Sequence, residues 1–333
     1  MKALVTGGGG FLGQAVVRLL VARGDEVRSF SRGSHPELAL LGVEERRGDL
    51  ADAAAVARAA AGCDIVFHVA AKAGIWGPFA EFYAANVSGT ANVVAACRAH
   101  GIRSLVYTSS PSVVFAGCDM EGVDESVPYP DRFEAHYPRT KALAEQLVLK
   151  ASDAELGTVA LRPHLIWGPG DNHLVPRIIA RGRAGELRRI GSKPCLVDSV
   201  YIDNAAEAHL LAADRLEPGA QIAGKAYFIT NGEPLPLWEL VNRILAAAAV
   251  PPVSRSIPSA VAHAAGCLLE KIYAALALSG EPCMTRFLAS ELSTAHWFDI
   301  SAARRDLGYQ PRVSIDEGML RLEQWLAGRG KMV

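Results

Sequence analysis

The chain of 333 residues carries a formal net charge of −1, and half of it is hydrophobic. That length supports one large core plus a smaller satellite, and near-neutral charge argues against nucleic acid as the main partner, since phosphate binding needs a basic face. Cys63, Cys97, Cys118, Cys195, Cys267 and Cys283 show no Cys-x-x-Cys spacing, which predicts buried thiols in a reducing compartment rather than a disulfide frame or a zinc site.

The first predicted strand starts at Lys2 and runs straight into a glycine turn, so no signal peptide is read there. No uncharged apolar run reaches the roughly 18 residues that would predict a membrane span. The expectation is a cytoplasmic globular enzyme with no metal site.

In chain order, short β-rich runs alternate with alanine-rich helical stretches. Strands are predicted at 2–6, 26–30, 43–46, 65–69, 104–108 and 158–162, several of them nearly continuous apolar runs, as parallel strands covered on both faces require. Helices are predicted near 11–23, 52–61, 86–100 and 137–154. The first puts Phe11, Leu12, Ala15, Val16, Leu19 and Leu20 on one helical stripe. This alternation predicts an α/β fold, a Rossmann-type doubly wound parallel sheet. After Arg162 the texture changes: Pro163, Gly168-Pro169-Gly170 and Pro176 punctuate loop and helix. A further strand is expected at 226–230, and from about residue 233 the chain reads as mostly helical with proline joints. The expected organisation is a dinucleotide-binding domain over 1–165, to which segments near 200–230 return. A smaller, mostly helical substrate lobe over 166–333 caps the carboxyl ends of the strands.

Strand, glycines, then helix is the context in which a glycine motif carries weight. The run Thr6 to Gly13 turns sharply at its first glycine, brings backbone close to a pyrophosphate at Gly10, and packs helix on strand at Gly13. Its spacing reads equally as Gly7-x-x-Gly10-x-x-Gly13 or Gly8-x-Gly10-x-x-Gly13. The second strand ends without the acidic side chain that would hold a free ribose. It offers Ser31 and Arg32, a hydroxyl and a guanidinium suited to a 2′-phosphate, which predicts NADP(H). Asp49, followed by Leu50, is a candidate acceptor for the adenine amino group, whereas Asp52 is the better helix cap.

Tyr137 and Lys141 stand four residues apart and share a helix face. A nearby ammonium favours the phenolate, so the pair predicts a tyrosine able to exchange a proton near neutral pH, with the lysine also on the nicotinamide ribose. The strand before them ends Tyr107-Thr108-Ser109-Ser110-Pro111-Ser112, which offers Ser110 to hydrogen-bond a substrate carbonyl, with Ser109 and Ser112 as local rivals. Asn86 either holds a water that feeds the lysine, caps a helix, or both. His136, His164 and His209 read as structural. Trp76 and Phe79 are either a cover for the nicotinamide or plain loop anchors.

With these stretches together, the chain resembles an extended short-chain dehydrogenase/reductase of the 3β-hydroxysteroid dehydrogenase-like branch. Gly48-Asp49-Leu50, His68 to Ala71, Asn86 to Thr90, Leu161-Arg162-Pro163 and Tyr201 to His209 add to the glycine turn and the Tyr137–Lys141 run, so the likeness covers about residues 1–210. It implies that Val69, Ala70, Ala71 and Lys72 line the cofactor, that Pro163 and Ile166 contact the nicotinamide, and that a homodimer forms through segments 86–100 and 137–154. Thr285 to Leu288 and His296 to Tyr309 further resemble the bacterial 2-alkyl-3-oxoalkanoate reductases of long-chain olefin synthesis, and also sterol-oxidising relatives.

The apolar stretch 259–278 fits an amphipathic helix over a greasy pocket, or equally a core helix. The expected reaction is NADPH-dependent reduction of a hydrophobic 3-keto acid to the 3-hydroxy acid. Arg177, Arg181 and Lys193 are unranked candidates to receive its carboxylate. The competing readings are a sterol-carboxylate dehydrogenase, a nucleotide-sugar epimerase or dehydratase, and a non-catalytic NADP-sensing regulator.

Overall fold

A computed structural model describes residues 1–329; positions 330–333, the end of the expected second half, lie outside the described residues. The predicted β-rich runs form β1 (Lys2–Thr6), β2 (Glu26–Ser31), β3 (Glu44–Arg47), β4 (Ile65–His68) and β5 (Ser104–Thr108). With Gly157–Pro163 and Lys225–Ile229 they make a seven-stranded sheet, in the order Lys225–Ile229, Gly157–Pro163, β5, β4, β1, β2, β3. Every pairing in it is parallel. β4 and Gly157–Pro163 are buried along their whole length, which is why they read as unbroken apolar runs. β3 is an edge strand, and its Glu-Glu-Arg-Arg sequence keeps that edge charged and half exposed.

Alternate residues of β1 serve opposite faces. Ala3 and Val5 pack into the core built with the Phe11–Ala22 and Ile202–Ala213 helices. Leu4 packs into the one built with the Ala53–Ala60, Gly89–Ala99 and His136–Lys150 helices. Asp52 caps the Ala53–Ala60 helix, its carboxylate accepting from Ala55 N at 3.0 Å. The strand order reverses at β1, with β2 on one side and β4 on the other, so a crevice opens at the carboxyl ends of β1 and β4.

Two features differ from expectation. The helix expected to open at Asn86 starts at Phe79 instead, passes through a π-helical turn at Tyr83–Ser88 and continues as Gly89–Ala99. Asn86 therefore lies inside a helical run and is not its cap. The C-terminal third also contributes to a second, four-stranded sheet that joins Leu235–Pro236, Leu196–Val197, His296–Phe298 and Met120–Val123. Strands of two to four residues, gathered from distant segments, show no readable periodicity.

The Ser259–Ala275 helix is not a core helix, because only Ala262 and Gly266 are buried in it. Gly266 lets it approach Thr285 and Arg286 closely, and an added Cβ would come within 2.6 Å of the Thr285 backbone. Among the described residues no helix is long and apolar enough to cross a membrane. All six cysteines are free, and Cys63, Cys97 and Cys195 are buried.

Candidate active site

The crevice holds a cleft of about 1010 Å³. At its base Gly7 takes φ +70° directly after β1, and Gly10 N donates back to Gly7 O at 2.8 Å. A Cβ on Gly7 would come within 2.9 Å of Ala70 Cα, and one on Gly13 would run into Gly7 O. Gly7, Gly10, Phe11, Leu12 and Gly13 line the cleft, whereas Gly8 and Gly9 turn toward Ser29 and His35. The geometry thus selects the Gly7, Gly10, Gly13 spacing. The Phe11–Ala22 helix has no side-chain cap, so its first amides and the positive end of its dipole are open to an anion.

Phe30, Ser31, Arg32 and Gly33 line the cleft at the end of β2, with Asp49 and Leu50 after β3. Ser31 Oγ donates to Gly33 O at 3.0 Å. Arg32 is exposed and has no carboxylate partner among the described residues. Asp49 Oδ1 accepts from Ala51 N at 2.9 Å. Leu50 packs where a side chain on Gly89 would stand. A glycine cradle, an uncapped helix start and an unpaired guanidinium together fit a nicotinamide dinucleotide with its phosphates on this side.

A buried polar chain fixes the next wall. His68 is held neutral, its pKa pushed down to about 3 by burial and then by the Lys141 charge. Its Nε2 donates to Thr90 Oγ1 at 2.9 Å, since Thr90 gives its own proton to Asn86 O at 2.5 Å. Thr6 Oγ1 then donates to His68 Nδ1 at 2.7 Å and accepts from Ala70 N at 3.2 Å. Asn86 Oδ1 accepts from Lys72 N at 2.7 Å, and its Nδ2 donates to Lys72 O at 3.1 Å and Thr140 Oγ1 at 3.0 Å. Both amide hydrogens of Asn86 are therefore used to tie the Ala70–Lys72 loop to the tyrosine helix. Val69, Ala70, Ala71 and Lys72 line the cleft; Asn86 is buried behind them.

Ser109, Ser110, Tyr137, Lys141, Pro163 and Ile166 converge on the opposite wall. Lys141 is 2 % exposed, donates to Thr108 O at 2.5 Å and sits 4.2 Å over the Tyr107 ring. Burial drives its pKa down to about 7, against the raising effect of Glu145. The Tyr137 phenol is pushed up to about 12, by burial first, opposed by its contact with Ser110 and reinforced by the Glu291 charge. The sequence expectation was a phenol eased by the lysine. Burial dominates at Tyr137, and the phenol is a neutral proton donor.

The three serines separate by geometry. Ser109 Oγ is buried without a partner, and Ser112 Oγ gives its proton to Ser110 Oγ at 3.0 Å. Ser110 accepts that bond and keeps its own proton to donate into the cleft.

His209 Nε2 accepts from Thr108 Oγ1 at 2.8 Å while its Nδ1 donates to Ala205 O at 2.7 Å. His164 meets His296 at 2.7 Å, and His136 packs on Phe79. Trp76 meets Tyr273 edge-on at 6.2 Å between centroids, so neither it nor Phe79 lines the cleft. Sequence reasoning missed Leu165, which lines the cleft at φ +42°, a strained conformation for leucine. It also missed Asp171, which caps the Leu174–Arg183 helix through the amides of His173, Leu174 and Val175. Among the described residues no three His, Cys, Asp or Glu side chains gather as a metal site.

A model of the 3-beta hydroxysteroid dehydrogenase/isomerase family matches residues 4–258. The chain belongs to that family. Curated relatives match it along most of their own length. A 2-alkyl-3-oxoalkanoate reductase of Stenotrophomonas maltophilia is 57% identical, over 97% of this chain and 98% of the relative. One of the same name from Shewanella oneidensis is 52% identical over 96% and 85%. A mouse sterol-4-alpha-carboxylate 3-dehydrogenase, decarboxylating, is 35% identical over 97% and 90%. Among solved structures, the Thermus thermophilus UDP-glucose 4-epimerase complex with NAD superposes with a TM-score of 0.76 at 24% identity, covering 98% of this chain and 99% of that one. It shares the fold. The resemblance drawn from the glycine turn and the Tyr137–Lys141 run holds: this 3-beta hydroxysteroid dehydrogenase/isomerase family member is an oxidoreductase of the short-chain dehydrogenase/reductase type.

Proposed function

We propose that the chain reduces a 2-alkyl-3-oxoalkanoate to the 2-alkyl-3-hydroxyalkanoate with NADPH, as a step in long-chain olefin or hydrocarbon biosynthesis. The observation that carries this reading is the neutral phenol of Tyr137 facing the cleft, in contact with Ser110 and flanked by Lys141. The 57% identical reductase supports the substrate class.

The bound dinucleotide would supply the hydride to the ketone carbon. Ser110 donates its free proton to the carbonyl oxygen as a hydrogen bond and polarises it. As the C=O π bond breaks, Tyr137 gives its phenolic proton to the oxygen, and the alcohol O–H forms. Lys141 is placed to hold the ribose hydroxyls and, once charged, to stabilise the phenolate left on Tyr137. Asn86 acts through the Ala70–Lys72 loop and the tyrosine helix, which makes it a positioning residue. Gly7, Gly10, Phe11, Leu12 and Gly13 would receive the pyrophosphate. Ser31 and Arg32 would take the 2′-phosphate, and the absence of an acid over residues 27–34 supports NADPH over NADH. Asp49 and Leu50 would face the adenine, and Pro163 and Ile166 the nicotinamide. Residues 166–333 would contribute most of the substrate side. The same reading carries a homodimer through segments 86–100 and 137–154, where Leu143 is 39 % exposed, and a cytoplasmic location.

The test is a panel of cofactors and ketones on purified protein. NADPH oxidation with a 2-alkyl-3-keto acid is expected, and Tyr137→Phe should lower kcat by about 10²–10⁴-fold with NADPH affinity retained. Turnover of a sterol carboxylate with none of the alkyl keto acid would replace this reading by the sterol one, which the mouse relative represents. Tight NADPH binding with no ketone reduced would replace it by a sensor.

A further inference from the structure

His35 precedes the Pro36–Ala39 helix and lines the cleft together with Ser31, Arg32 and Gly33. Its imidazole rests on Gly9. A Cβ at that glycine would come within 2.1 Å of both Nε2 and Cδ2, so only glycine leaves the ring its place. A Cβ on Gly33 would meet Nε2 at 3.4 Å. Nε2 therefore lies between the glycine turn and the loop that follows β2.

Two acids hold the ring there. Glu37 Oε1 is 3.7 Å from Nδ1, and Glu45 Oε1 accepts from His35 N at 2.8 Å. Glu37 is itself tied to the turn, because Gln14 Nε2 donates to Glu37 Oε1 at 2.9 Å and to Gly9 O at 3.0 Å. Among the described residues Nε2 has no hydrogen-bond partner. It is not sealed inside the protein either, and the side chain keeps 27 % of its surface. One ring nitrogen thus faces a carboxylate while the other is left open.

We infer that His35 is a further ligand of the adenosine 2′-phosphate of NADP(H), donating from Nε2 as an imidazolium, and so helps to set the choice of cofactor. This rests on the NADPH reading given above. A dinucleotide with its pyrophosphate at Gly10 and its adenosine ribose at Ser31 and Arg32 spans the stretch from the glycine turn to the loop after β2. A phosphate there carries three acceptor oxygens. Ser31 Oγ already spends its proton on Gly33 O, which leaves Arg32 as the one charged donor foreseen for it. His35 supplies a second.

The ring can do so only when charged. Beside Glu37 the neutral ring keeps its proton on Nδ1, and Nε2 then turns a lone pair toward the phosphate. Imidazole is the side chain that ordinarily changes charge near neutral pH. The charged groups around it are Glu37 on its own helix, Glu45 on β3, and Arg32. Arg47, two residues past Glu45, shares its face of the strand. Arg18 reaches Gln14 from the Phe11–Ala22 helix, Nη2 to Oε1 at 3.0 Å. Asp171 and His173 line the same cleft from the segment before the Leu174–Arg183 helix. Without a charge on His35, the 2′-phosphate would meet Glu37 and Glu45 with Arg32 alone to offset them. NADPH binding therefore draws a proton from solvent onto His35, whereas NADH, with a hydroxyl at that position, does not.

Calorimetry tests this without turnover. The purified protein is titrated with NADPH and with NADH from pH 7 to pH 9, in two buffers of different ionisation enthalpy. At pH 8 NADPH should take up more protons than NADH, and the excess should vanish in His35→Asn. The ratio of NADPH to NADH affinity should fall several-fold from pH 7 to pH 9. Over that range the phosphate, with a second pKa of about 6, stays fully ionised. Lys141, placed to serve both cofactors alike, cancels in the ratio. His35→Asn should lower the ratio on the order of tenfold at pH 7 and flatten its pH dependence, the loss of a hydrogen bond between charged groups. His35→Lys, charged throughout, should keep the ratio within a few fold and also lose the slope. Arg32→Ala should lower the ratio at every pH and keep the slope. Retained NADH affinity certifies that the variants fold. A ratio unchanged in His35→Asn, or equal proton uptake with both cofactors in the parent protein, refutes the assignment. A parent protein that binds NADH as tightly as NADPH at pH 7 refutes the NADPH reading instead.

Discussion

Replacing Glu145 should both destabilise the fold and mistune Lys141, the lysine proposed to hold the ribose. Glu145 is fully buried and takes a bidentate pair from Arg162, Nη2 to Oε1 at 2.6 Å and Nε to Oε2 at 3.0 Å. Tyr129 adds a third hydrogen bond at 2.6 Å. Arg162 is 3 % exposed, and its Nη1 already lacks a partner. Removing the carboxylate leaves a buried guanidinium uncompensated, which costs about 3–5 kcal/mol. That is a large share of a total stability of roughly 5–15 kcal/mol. At about 2–4 °C per kcal/mol for a large domain, Glu145→Gln should melt roughly 6–20 °C lower. Glu145→Leu combined with Arg162→Leu removes both charges and should recover most of the loss, because an apolar pair of similar volume is tolerated where a lone charge is not. Glu145 is also the group that holds the Lys141 pKa up against burial. Its loss drops that pKa further below about 7, so NADPH affinity at pH 7 should weaken, and recover at pH 6. Urea and thermal unfolding of the two variants, with NADPH titrations at both pH values, read all three effects. A Glu145→Gln melt within about 1 kcal/mol of the parent, or a double variant no more stable than the single, refutes the reasoning.

Other outcomes are equally open to measurement. Arg32→Ala should reduce the preference for NADPH over NADH by roughly tenfold or more, since a charge-assisted hydrogen bond to phosphate is removed; unchanged selectivity in a cofactor competition assay would place the 2′-phosphate elsewhere. Gly13→Ala drives a methyl group into Gly7 O, so dinucleotide binding followed by fluorescence should be lost even where the circular dichroism spectrum survives. Lys141→Met bears on stability against pH. The folded pKa of Lys141, about 7, lies below its unfolded value near 10.5, so the unfolded chain binds more protons between those limits and the parent protein gains stability as pH rises through that window. The methionine variant should lack this gain, and parallel curves for both proteins in urea melts at pH 7 and pH 9 would contradict a desolvated lysine.

The relation between sequence and structure is clearest at particular residues. β4 and the Gly157–Pro163 strand were legible because burial on both faces demands unbroken apolar runs, and the Phe11–Ala22 helix because one face repeats with the helical period. The glycine turn was legible because only glycine fits against Ala70 and Gly7 O. The π turn at Asn86 was not, since helical propensity does not register one extra residue per turn. The second sheet was not, since its strands are too short to show a period.

By itself, then, the sequence determined the parallel sheet, the glycine turn and the Tyr137–Lys141 pair, because each is a local pattern imposed by backbone geometry. Only the tertiary structure decided which glycines face the cleft, which serine keeps a free proton, and that Tyr137 is neutral. Burial and electrostatic coupling between residues more than a hundred positions apart depend on how the chain is folded back on itself, and no local spacing records them.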